Sequence, residues 1–220
     1  MNHVFVETNW VVDVATPEHH RVPAALELLE RAERGELQLH LPSICITEAR
    51  RTIPTKFQPR HEADAIRKFL SLPRPGSITD ADAQTVRRVL GVYEQQVKKE
   101  LKQLEETLRS FLKKPGLEVF PLNERMLEYE VELSPLDLGL QSFDHAVLAS
   151  VLGRADELKA AGELDLAFCE LDSHLQPWDK DGRAKQPLAK LYDERWIWVY
   201  GNFTLKDPNR PQDWPFNKST

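Results

Sequence analysis

Four acidic residues stand where carboxylates are costly to place. Glu7 follows the apolar run Val4-Phe5-Val6 directly, Glu48 lies within ITEARR, Asp144 within SFDHAV, and Asp172 comes three residues after the apolar stretch LDLAFC. Each alone has an ordinary explanation. Glu7 would be a solvated acid in the turn that ends its strand, and Asp144 an acid favoured by the helix dipole in a first turn. Glu48 would pair with Arg51 one turn on, and Asp172 with Glu170 would be turn residues. Gathered at one place they are harder to dismiss, because two carboxylates about 4 Å apart repel by about 4 kcal/mol at an effective dielectric near 20. Such a cluster persists only with protons or a cation. An oxygen-only donor set suits Mg²⁺ or Mn²⁺ far better than Zn²⁺. The histidines offer no alternative: His19 and His20 are adjacent, His40 lies in a strand-like run, and the chain has no HExxH or Cys–His ligand pattern. Walker, GxGxxG and GxSxG motifs are absent too.

The elements that must position these acids alternate. Residues 4–6 read as a buried strand, AALELLERAERGE as a helix stopped by Gly35, and LQLHL as a strand. Pro42 and Ser43 open a helix through ICITEARR. LEVFP reads as a strand, NERMLEYEVE as a helix, and SFDHAVLASVLGRADEL as a long helix with Ser142 as N-cap. LDLAFC, KQPLAKLYDE and RWIWVY complete a strand, a helix and a last strand. This order predicts an α/β fold with a mainly parallel central sheet, and the short, almost wholly apolar strands predict helices on both faces, a three-layer sandwich. In such sheets ligands bind beyond the carboxyl ends of the strands, where Glu7 and Asp172 fall.

Residues 54–115 break the rhythm. A short helix between proline-rich turns precedes a proline-free run from ADAQTV to FLKK, in which Val97, Leu101, Leu104, Leu108 and Phe111 follow a 4-3-4-3 spacing. We read a helical arm inserted into the α/β domain, offering its seam to a protein partner or a second copy; a helix packed along its own domain fits two heptads equally well. The expected division is 1–53 for the first part of the core, 54–115 for the arm, 116–205 for the second part, and 206–220 for a C-terminal tail.

At 220 residues with 41% hydrophobic content, one good core is feasible. Cys45 and Cys169 sit in apolar runs and read as buried thiols, which suits a reducing, cytoplasmic setting. No apolar run approaches the length of a membrane span, so no membrane partner is expected. A net charge of −6 argues against a generic binder of nucleic-acid backbone, but not against an enzyme with a local basic patch.

VFVETNWVV, LPSICITEAR, SFDHAVLAS and AFCELDSHL occur in the order of the four acidic motifs of PIN-domain nucleases, which the chain resembles over roughly residues 3–53 and 116–200. Glu7 stands where that family normally has Asp, and His174 where a further Asp is common. The resemblance implies metal-dependent cleavage of phosphodiester bonds, most often in RNA: an endoribonuclease, of a toxin or defence kind. It implies Glu7, Asp144 and Asp172 as ligands of Mg²⁺ or Mn²⁺, Glu48 as ligand of a second ion directly or through water, and Thr8 and Asn9 as groups that orient the ligands. Substrate phosphates would meet Arg50, Arg51, Lys56 and Arg60. Two other expectations stand beside it: a catalytically silent PIN-like interaction module working through its arm, and a DNA-directed phosphodiesterase.

Overall fold

The computed structural model describes residues 2–71 and 78–206, with the side chains of residues 59–62 excepted. Five strands form one all-parallel sheet: β1 (Asn2–Val6), β2 (Leu37–Pro42), β3 (Leu117–Phe120), β4 (Leu166–Cys169) and β5 (Ile197–Tyr200), in the order β3-β2-β1-β4-β5. Parallel strands need crossovers, and helices supply them: α1 (Thr8–Ala15), α2 (Pro23–Glu33), α3 (Ser43–Lys56), α4 (Pro59–Ser71), α5 (Asp80–Phe111), α6 (Glu124–Leu133), α7 (Ser142–Ala160) and α8 (Leu188–Asp193). The right-handed crossover rule assigns the helices between β1 and β3 to one face and those between β3 and β5 to the other. Helices thus flank the sheet in a way compatible with a three-layer sandwich. The chain steps outward from β1 to β2 and β3, then returns to β4 on the other side of β1. The β1–β4 boundary is therefore the switch point at which open α/β sheets form their ligand crevice.

The central strands are mostly apolar and covered by helices, and their buried polar side chains, His3 and His40, meet each other at 2.9 Å. Val4, Phe5, Val6, Leu37, Leu39, Leu41, Leu166 and Phe168 all belong to the hydrophobic core. Cys45 and Cys169 are buried free thiols within it.

Three elements differ from the sequence reading. Residues 8–15 form a helix directly after β1, where turn residues were expected. The run Trp10-Val11-Val12 looks strand-like because valine is β-branched, yet positions 10, 11, 14 and 15 make one apolar helical face and are buried. The Trp10 indole N–H reaches the Ala25 carbonyl at 3.2 Å and its ring packs on Phe111. Helix α7 begins at Ser142, with Gln141 in the cap position. Helix α3 does not stop near residue 53 but runs through Pro54 to Lys56.

The stretch 54–115, expected as a separable arm, is continuous with the core at both ends. Helix α5 has the expected length and opens on a capping box between Thr79 and Asp82. Its seam is spent inside the chain: Val97, Leu104, Leu108 and Phe111 are buried, and the last three belong to the core cluster with Leu101 packed against it. The tail from residue 207 onward lies outside the described residues. Among the described residues no helix is long and apolar enough to cross a membrane.

Candidate active site

All four acids singled out in the sequence line one cleft of about 130 Å³ beyond the carboxyl ends of β1 and β4, together with Thr8, Asn9, Thr52 and Lys56. Val12, Phe143, Val147 and Leu175 form its apolar walls. Each acid arrives on a different element. Glu7 is the residue between β1 and α1 and serves as the helix N-cap, its Oε2 accepting the Asn9 backbone N–H at 2.7 Å. Helix α3 contributes Glu48, Thr52 and Lys56 at successive four-residue intervals, one stripe facing the cleft while Cys45, Ala49 and Ile53 face the core. Asp144 lies in the first turn of α7. Asp172 sits in the loop after β4, its Oδ1 accepting both the backbone N–H and the ring Nδ1–H of His174 at 2.8 Å.

The electrostatics are lopsided. Glu7 is only 5% exposed and its Oε1 is buried without a hydrogen-bond partner. Burial pushes its carboxyl up to about 8, repulsion by Glu48 and Asp172 adds to this, and the Asn9 hydrogen bonds oppose it. The Asp144 carboxyl is likewise raised, first by burial and then by Asp172. On the positive side the cleft holds Lys56, whose charge also acts on the half-buried Asp13.

Of the other expected contacts, Arg50 turns away and pairs with Glu105 on α5, and Arg51 is exposed on α3 outside the cleft lining. The side chain of Arg60 lies outside the described residues. Thr8 and Asn9 form the first turn of α1, and the Asn9 backbone N–H donates to the Glu7 carboxylate.

Three further residues shape the site. Thr52 completes the α3 stripe, a position set by spacing from Glu48. Lys185 lies against the Asp172 loop, its Nζ donating to the carbonyls of Ser173 and His174 at 2.7 and 2.9 Å. Glu170 follows the apolar run of β4 just as Glu7 follows that of β1, and it is fully buried. That parallel was present in the sequence, where Glu170 was read as a turn residue.

The donor set is made of carboxylate oxygens with one buried orphan among them, which fits a hard divalent cation by chemistry. Among the described residues no group of three or more His, Cys, Asp or Glu side chains stands close enough together to hold a metal ion as placed. Glu48, Asp144 and Asp172 are partly exposed and carried on fixed backbones, so their side-chain rotamers decide how tightly the ring closes. Set against known protein families, curated proteins and solved structures, the chain finds no match.

Proposed function

We propose that the chain is a PIN-like, Mg²⁺- or Mn²⁺-dependent endoribonuclease that hydrolyses RNA phosphodiester bonds. One observation carries this reading: acids from four separate elements meet in a single cleft at the switch point of a parallel sheet, with a buried, unpartnered carboxylate oxygen on Glu7. That oxygen belongs to a residue lining the cleft shared by the other three acids, where a bound cation would meet it.

Glu7, Asp144 and Asp172 would hold the ion, with Glu48 reaching it or a second one from α3. When bound, a divalent ion supplies Lewis acidity at the phosphate and a nucleophilic water at neutral pH. The chain's own groups do the rest. The Asn9 N–H holds one oxygen of Glu7 so that the other points free. His174 steadies Asp172 through two hydrogen bonds. Lys56 gives the substrate phosphate a counter-charge at the rim, and the apolar walls limit water.

The test is Mn²⁺-dependent cleavage of labelled RNA and of labelled DNA by wild type and Asp144→Asn. RNA cut by wild type and spared by the variant supports the reading. DNA cut in preference to RNA moves it to a DNA-directed phosphodiesterase. No cleavage of either, with no Mn²⁺ binding, leaves a silent interaction module.

A further inference from the structure

Glu170 belongs to the same chemistry, though it does not line the cleft. Strands β1 and β4 pair in register, Val6 opposite Cys169, so Glu7 and Glu170 are the next residues of each strand. Neighbouring strands lie about 4.8 Å apart, which brings the two backbones together at the sheet edge. Glu170 is anchored on three sides. Its backbone N–H donates to the Tyr200 carbonyl at 2.8 Å, its own carbonyl accepts from Gln176 Nε2 at 3.0 Å, and its Oε1 accepts the Asp172 backbone N–H. Its second oxygen, Oε2, is buried and has no hydrogen-bond partner.

That orphan oxygen separates two explanations. A buried carboxylate without a counter-charge either takes a proton or meets a cation. A proton on Oε2 would neutralise Glu170 alone and leave the charges of Glu7, Asp144 and Asp172 facing one another. The charges that act on Glu170 are those of Glu7, Asp172 and Asp144, all negative. A cation satisfies the orphan oxygens of Glu7 and Glu170 and the repulsion among all four groups together.

We propose that Glu170 is a fifth carboxylate of the cation site, fixing the Asp172 loop with one oxygen and offering the other to the ion. This rests on the cation reading above. Fully buried, Glu170 would meet the ion from the core side, and the partly exposed cleft acids would meet it from the solvent side.

The experiment is a Mn²⁺ titration of the full chain, followed by the EPR signal of free Mn²⁺, on wild type and Glu170→Gln. The amide retains an oxygen for the Asp172 N–H, removes the charge and puts an NH2 donor in place of the second oxygen. The expected result is Mn²⁺ affinity lowered about tenfold or more, the scale of disturbed metal support, with an apo melting temperature equal to or above that of wild type. Affinity within twofold of wild type overturns the proposal and makes Glu170 a neutral buried acid. Absence of saturable binding by wild type overturns the cation reading itself, and this inference with it. If the variant does not fold, Mn²⁺ located by anomalous scattering in wild-type crystals decides. An ion about 2.2 Å from Glu170 supports direct ligation; an ion with both Glu170 oxygens beyond about 4 Å overturns it.

Discussion

Two clusters of charged groups are built into this sheet, and they are finished differently. One crosses the face of β1, β2 and β3. His3 Nδ1 and the buried His40 Nε2 are 2.9 Å apart, His40 Nδ1 lies 2.8 Å from Glu118 Oε2, and Glu118 takes both its oxygens to Arg154 Nη2 at 2.6 and 2.7 Å. His3 Nε2 faces Glu163 at 3.2 Å. The two imidazole nitrogens at 2.9 Å need one proton between them. Both carboxylates in this chain of contacts, Glu163 and Glu118, meet a basic side chain. The other cluster is at the carboxyl edge of the same sheet, where Glu7, Glu170, Glu48, Asp144 and Asp172 face one another with Lys56 at the rim. Strand β1 serves both clusters, with β2 and β3 on one side and β4 on the other. A protein that only needed to fold would have balanced the second cluster as it balanced the first. On the proposed cation reading, that imbalance is what a bound ion would offset.

The largest expected effect breaks the open cluster. Glu7→Gln, Asp144→Asn and Asp172→Asn each keep an oxygen and lose the charge, and cleavage of labelled RNA in Mn²⁺ should fall about tenfold to a hundredfold or more per site. Undiminished turnover in any of them removes that residue from the cation site. The closed cluster should respond in stability instead. Glu118→Gln removes the charged acceptor of His40 and leaves Arg154 with Glu157 alone, and should cost about 1–3 kcal/mol in urea unfolding, with Mn²⁺ affinity unchanged. A loss of Mn²⁺ affinity there would erase the distinction between the clusters.

The pH dependence should separate them as well. Glu118 is held down at about 2, by the His40 contact first and then by Arg154 against the opposing effect of burial. Its contribution is complete above the usual carboxylate value of 4.5 and is lost as pH falls toward 2. Glu7 has the opposite sign. With its carboxyl at about 8 in the fold against 4.5 as a free side chain, the folded chain keeps a proton that the unfolded chain has released. Cation-free stability should therefore decline as pH rises from about 4.5 to 8, and Glu7→Gln should flatten that decline. Thermal melts across this range check it; an unchanged slope in the variant places the pH dependence elsewhere. The smallest effect belongs to the rim: Lys56→Ala should raise KM about threefold to tenfold with kcat little changed, the worth of one exposed charge contact.

The sheet was legible because its strands are short, mostly apolar runs; Glu7 and Asp172 were legible because they come just after such runs, and Glu48 and Asp144 because they sit early in the helices that follow. Helix α1 was not, since valines favour strands in isolation and only the packing of Trp10 on Ala25 and Phe111 makes the helix pay. The arm was half legible. Its periodicity gave the helix, but a 4-3-4-3 seam reads the same whether it meets a partner or its own domain, and Leu104, Leu108 and Phe111 meet their own core. Among the cations, sequence adjacency grouped Arg50, Arg51 and Lys56, whereas helical phase sends Lys56 to the cleft and Arg50 to Glu105. Glu170 follows an apolar run just as Glu7 does, but a turn acid looks the same locally, and the pairing of β4 with β1 that buries it is long-range.

The central claim is that the open cluster is completed by a divalent cation, and the melting temperature at pH 8 with and without Mn²⁺ tests it most directly, in wild type and Glu7→Gln side by side. The account predicts that wild type gains several degrees at saturating Mn²⁺, as linkage requires of any ligand bound only by the folded state, and that the variant melts higher than wild type without the ion and gains little with it. Equal Mn²⁺-induced shifts in the two proteins, or none in either, would contradict it.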